Sequence, residues 1–161
     1  MRTSLLALGV IATLAGCSDD PPANVAGMYA MNITNGDNGC ELDNWVEGES
    51  STGIPVNVVQ NGSTATATIE GGVGVYLDVV FGNRTFDGKV TGNAFDAELF
   101  GIRQGTQGNC SFTFNAQLDS SLVGDTLTGT ISYVPKTNDH PDCGLLQTCR
   151  SIQNMNGLRA P

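Results

Sequence analysis

The stretch from Cys110 to Leu118, CSFTFNAQL, alternates without a break. Cys110, Phe112, Phe114, Ala116 and Leu118 fall on one side of an extended chain; Ser111, Thr113, Asn115 and Gln117 fall on the other. That period of two belongs to a β-strand with one buried face. The segment Asp125–Tyr133 repeats it, with Leu127, Gly129, Ile131 and Tyr133 set against Thr126, Thr128, Thr130 and Ser132. Phe86-Gly88-Val90 alternates with Thr85-Asp87-Lys89, and Phe95-Ala97-Leu99 with Asp96 and Glu98. Weaker versions run through Tyr29-Met31-Ile33, Val56-Val58 and Val75-Leu77-Val79-Phe81.

Between these runs stand Asn61-Gly62, Gly82-Asn83, Gly92-Asn93 and Gly124-Asp125. Asn and Gly supply the positive φ of tight hairpin turns. Phe86–Thr91 and Ala94–Phe100 are therefore expected to form one hairpin, and Phe112–Leu118 with Thr126–Val134 another. Every run counted, the chain reads as eight or nine short strands with no helix. One apolar and one Thr-rich face on each strand suits an antiparallel sheet around a single core. Closing that sheet removes its exposed edges, so the expected fold is all-β, an antiparallel up-and-down β-barrel of about eight strands. A two-sheet β-sandwich satisfies the same pattern and stands as the alternative. Gly88 and Gly129 lie on the inward face, where a strand without a side chain can bend. Asn35–Gly53 does not alternate and is expected to be a loop over one mouth.

Gly27-Met28-Tyr29, at the start of the first strand, is similar to the Gly-x-Trp opening of the lipocalins. The resemblance covers a few residues, with Tyr in place of Trp, and brings no ligand with it. It implies a lipocalin-like barrel in which Tyr29 packs across the closed end.

The N-terminus is of another kind. Met1-Arg2-Thr3 carries one base, and Ser4–Ala15 is an uncharged apolar run too short for the about 20 residues of a membrane-spanning helix. These are the parts of a secretory signal. Leu14-Ala15-Gly16-Cys17 then resembles the lipobox of bacterial lipoproteins at all four positions. The resemblance implies cleavage after Gly16 and a lipid on Cys17 that holds the protein to a membrane of the cell envelope. Ser18 after the Cys implies the outer membrane, periplasmic or surface-facing; Asp19 and Asp20 keep the inner membrane open. Acyl chains add about 0.8 kcal/mol per buried CH₂, so several on one residue make a stable anchor. The expected organisation is a signal peptide over 1–16, a lipidated Cys and extended tether over 17–24, and a single β domain over 25–161. The polar Pro21-Pro22 tether would reach at most about 25 Å at 3.3–3.6 Å per residue.

Assigning Cys17 to lipid leaves Cys40, Cys110, Cys143 and Cys149, an even number in an exported chain, which reads as two disulfides. Proximity along the chain favours Cys143–Cys149, with Cys40–Cys110 by remainder, among three connectivities.

The net charge of −9 argues against nucleic acid and against docking on anionic lipid, since both need Lys and Arg. It would suit a cationic partner. His140 is the sole histidine, set between Asp139 and Pro141 in a loop, so no nucleophile–base pair is in view and no enzyme is expected. Asp96 and Glu98 share a face, but the outward one. His140, Cys143 and Cys149 could be drawn around a metal, yet zinc wants four ligands. The acidic residues of the Asn35–Gly53 loop do not follow the ligand order of a calcium-binding EF-hand. No metal or cofactor is expected.

That loop is the most distinctive segment, gathering Asp37, Glu41 and Asp43 around the only tryptophan, Trp45. Trp45 is either a lid over the barrel mouth or a contact for a partner. Two functions follow as expectations: a non-enzymatic interaction barrel whose acidic surface meets a cationic envelope protein, or a carrier of a small apolar ligand inside the barrel.

Overall fold

A computed structural model describes residues 20–161. Cys17 and the proposed signal lie outside the described residues. The elements in chain order are β1 (Gly27–Asn38), β2 (Ser50–Asn61), β3 (Thr64–Ile69), α1 (Gly71–Val80), β4 (Thr85–Thr91), β5 (Ala94–Leu99), β6 (Gly105–Gln107), β7 (Cys110–Val123), β8 (Thr126–Thr137) and β9 (Ser151–Arg159). A 3-10 turn, Pro141–Gln147, joins β8 to β9.

Each strand pairs antiparallel with its neighbour, and two further ladders, β1–β9 and β5–β7, join the ends of the sheet. β6 pairs only along the start of β7, outside the ring. The result is a closed antiparallel barrel of eight strands. The β5–β7 ladder excludes the sandwich, because Ala94–Leu99 is paired residue for residue with Ala116–Ser121.

The alternation in CSFTFNAQL holds in part: Cys110, Ala116 and Leu118 are buried and Phe114 packs against the core, but Phe112 lies outside that cluster. Asn115, on the expected outward face, is buried where it bonds Glu98 and Gly101. β7 runs on to Val123 and turns at Gly124-Asp125 into β8. The β4–β5 hairpin turns at Gly92-Asn93, with Phe86, Val90, Phe95 and Leu99 buried. The strands' outer faces carry charges such as Asp87, Lys89 and Asp96, the reverse of a lipid-facing belt. Gly88 and Gly129 permit close approach: a Cβ at either would collide with the backbone carbonyl of the neighbouring strand, Asp96 O and Asp119 O respectively.

The expected loop Asn35–Gly53 is shorter, since β1 runs to Asn38 and β2 begins at Ser50, and three larger features depart from the sequence reading. Val75–Phe81 is not a strand; it belongs to the helix α1 and its C-terminal cap. Its apolar residues satisfy a helical spacing equally well, with Val73, Leu77 and Val80 facing the barrel mouth. Buried Gly74 lets the helix lie against the carbonyl of Ile69, where a Cβ would not fit. Secondly, β3 and β9 carry strands that no conspicuous apolar alternation announces. β3 turns Ala65 and Ala67 inward, and β9 turns in Ser151, Gln153, Met155 and Gly157.

The third departure is the disulfide pairing. All four expected cysteines are bridged, but as Cys40–Cys149 and Cys110–Cys143, not Cys143–Cys149 and Cys40–Cys110. The 3-10 turn sends Cys143 back against the start of β7, while Cys149 leads into β9 beside the end of β1. Closeness along the chain was a weaker guide than the order of strands around the barrel.

The end away from α1 is closed. Val25 is buried there, its N–H donating to Gln60 Oε1 at 2.7 Å, and the Tyr29 hydroxyl donates to Val25 O at 2.9 Å. The Arg159 guanidinium lies over the Tyr29 ring at 5.7 Å and donates to the carbonyls of Asn24 and Ala26. Tyr29 thus takes the place that the lipocalin resemblance implied. Ala23 N–H also donates to Gly92 O at 2.7 Å, so the folded part already includes Ala23.

Candidate functional site

The opposite end holds a cavity of about 530 Å³, within the roughly 300–1,000 Å³ of small-molecule sites. Its wall is the inward face of the barrel, including Val56, Phe86, Phe95, Leu118, Leu127 and Met155. Ala67 and Ala116, small residues at inward positions, leave part of that space.

Two elements roof it. From one side comes the loop between β1 and β2. Asn38 fastens its start, donating to Leu42 O at 3.0 Å and accepting from Leu42 N–H at 2.8 Å. Asn35 N–H donates to Glu49 O at 2.9 Å and fastens its end. Cys40–Cys149 ties it to the foot of β9. Held in this way, the loop turns Trp45 inward: its Nε1 donates to Gly36 O at 2.9 Å, and its ring meets Tyr133 edge-on at 5.9 Å. From the other side comes α1, which presents Val73, Leu77 and Val80 to the cavity and leaves Val75 and Val79 exposed. Arg84 bridges to Asp78 at 3.5 Å and to Glu70 at 3.8 Å, and Phe81 O accepts from Ile102 N–H, so the helix is fastened near both ends. Phe81 and Tyr133 complete an aromatic cluster at 5.9 Å.

Beneath Trp45 the wall carries a short polar chain. The Tyr133 hydroxyl donates to Gln153 Oε1 at 2.7 Å, and Gln153 Nε2 donates to Asn35 Oδ1 at 2.7 Å. Register explains it: Asn35 lies opposite Gln153 across β1–β9, and Gln153 opposite Ile131, one inward step from Tyr133, across β8–β9. Burial raises the Tyr133 phenol well above its ordinary value of 10.0, with the nearby Tyr76 phenol adding to the shift. The phenol is therefore a neutral hydrogen-bonding group at neutral pH.

Of the expected mouth residues, Trp45 and Asp43 line the cavity; Asp37 and Glu41 are exposed and do not. Trp45 lines the cavity at its mouth, beneath the loop that carries it. Gln153, Asn35 and Tyr133 went unremarked as a site in the sequence, and only the strand pairing brings them together. His140 lies away from the cavity and caps the 3-10 turn, its Nδ1 accepting from Asp142 N–H at 3.2 Å. Cys143 and Cys149, drawn earlier as metal ligands, are both in disulfides, to different partners. Among the described residues no three His, Cys, Asp or Glu side chains come together to hold a metal ion, and no helix is long and apolar enough to cross a membrane.

No protein-family model matches this chain, and no curated protein or solved structure matches it either.

Proposed function

We propose that the chain is a non-enzymatic carrier, a barrel that holds a small apolar ligand and is anchored in the bacterial envelope through a lipid on Cys17. The observation that carries the reading is the apolar cavity of about 530 Å³ under Trp45 and α1. An apolar space of this size, open at one end and with Ala67 and Ala116 at inward wall positions, is what a ligand site requires and a filled core does not.

The anchor fits this use. Asp20 lies against the β4–β5 turn at the closed end, 3.8 Å from where a Cβ on Gly92 would stand. Cys17, three residues upstream, would hold its lipid within about 11 Å of that end at 3.3–3.6 Å per residue. The mouth would then open away from the leaflet, toward the space from which a ligand arrives. Ser18, following Cys17 in place of an Asp, supports the outer membrane as the address.

Native mass spectrometry of the purified protein, with uptake of an uncharged apolar dye, tests the carrier. A copurified ligand or saturable dye binding is expected; no ligand and no uptake would sink it. A second reading, capture of a cationic envelope protein, draws on the exposed Glu41, Asp43 and Glu47 of the mouth loop. Neutralising these acids should weaken such capture without changing dye binding.

A further inference from the structure

The cavity's charges narrow its ligand. Its lining includes two charged side chains, Asp43 and Glu49, both acids at the mouth. No cation lines it. Arg84 is engaged by Glu70 and Asp78, Arg150 by Gln117, and Arg159 belongs to the closed end. Lys89, Arg103 and Lys136 are not among the lining residues. A carboxylate or phosphate head would enter past two acids and meet no counter-charge, and leaving an ion without one in a largely apolar wall is costly.

A neutral polar head meets a different surface. Gln153 gives one N–H to Asn35 and accepts one bond from Tyr133. Its amide has a second N–H and a second lone pair, and the Tyr133 oxygen keeps its lone pairs. These groups sit at one level of an otherwise apolar wall, beneath Trp45. A hydroxyl or amide reaching that level could both donate and accept there.

We infer that the cavity holds an uncharged amphiphile, with its apolar body within the barrel and a hydroxyl or amide head at Gln153 and Tyr133, and that it discriminates against the matching carboxylate. The inference rests on the carrier reading and specifies the ligand class of the same cavity.

The test uses purified full chain carrying Cys17→Ser, so that no acyl group of its own competes. Decanol and decanoate are titrated at neutral pH against a bound uncharged apolar dye. Decanol is expected to displace the dye at a concentration lower than decanoate by about tenfold or more, a gap of at least ~1.4 kcal/mol. Because water itself retains the carboxylate better, the variants decide. Asp43→Asn with Glu49→Gln should narrow the gap by strengthening decanoate. Gln153→Met should narrow it by weakening decanol, while dye binding shows that the barrel is intact. A gap unchanged in both variants, or decanoate competing as well as decanol in the parent protein, overturns the head selectivity and leaves the carrier standing. Failure of the dye to bind at all overturns the carrier reading instead.

Discussion

Replacing Trp45 with Ala should open the roof of the cavity and leave the barrel standing. The side chain makes two contacts that Ala cannot: the edge-on packing with Tyr133 at 5.9 Å and the Nε1 hydrogen bond to Gly36 O at 2.9 Å. An aromatic pair contributes about 0.5–1.5 kcal/mol beyond burial, and a hydrogen bond about 0.5–1.5 kcal/mol net. Trp45 is only partly buried, so the lower half of the sum applies, about 1–2 kcal/mol. The loop base is independent of it, held by Cys40–Cys149 and by the Asn38–Leu42 and Asn35–Glu49 bonds. If roof closure retains the ligand, losing that energy should speed dissociation of a bound apolar dye by roughly 5- to 30-fold, at tenfold per 1.4 kcal/mol. Trp45 is outside the main apolar cluster, so the melting temperature should fall by no more than about 8 °C, at roughly 2–4 °C per kcal/mol for a chain of this size. Stopped-flow dye dissociation and a thermal melt read the two quantities on one sample. An unchanged dissociation rate would refute the lid. A fall in melting temperature well beyond 15 °C (about twice that bound) would show that Trp45 is a core residue.

Loop entropy makes the two disulfides unequal: opening Cys40–Cys149, separation 109, should cost about 4.8 kcal/mol, against about 3.7 for Cys110–Cys143, separation 33. Denaturant unfolding of the two double Cys→Ser variants measures this, and alkylation of either should reveal no free thiol among the remaining pair; two free thiols would contradict the pairing. Burial raises the phenols of Tyr29 and Tyr133 above 10.0. Since the folded state then holds these protons more tightly than the unfolded chain, their stabilisation is full below pH 10 and is lost as the pH rises through the folded values. Tyr133→Phe should therefore flatten the loss of stability in alkaline denaturation. Gly74→Ala should improve α1 by its propensity, about 1 kcal/mol, yet loosen the roof because the new methyl meets Ile69 O; faster dye release with intact strand circular dichroism is the expected result.

Much of the barrel is legible along the chain because a half-buried strand writes its two faces as alternation. Cys110–Leu118, the β7–β8 turn at Gly124-Asp125 and the β4–β5 hairpin could be read directly. The sites that could not be read share a cause. In β9 the inward residues are Ser151, Gln153, Met155 and Gly157, so the strand shows little apolar alternation. Polar groups on the inward face erase the signal by which a strand is recognised. In α1, apolar residues at alternate positions fit an extended or a helical chain equally well; the seat of Gly74 on Ile69 O shows which the fold uses.

The amino-acid order by itself determined an acidic, all-β chain with turns at Asn and Gly, four bridged cysteines and a mouth loop around one tryptophan. These follow from local rules: a two-residue period, the φ preferences of Gly and Asn, and an even cysteine count once Cys17 is set aside. Tertiary structure alone decided closure through β5–β7, the pairing of Cys40 with Cys149, and the meeting of Tyr133, Gln153 and Asn35 beneath Trp45. Each joins residues far apart in the chain, and such neighbours exist only once the sheet has closed into a ring.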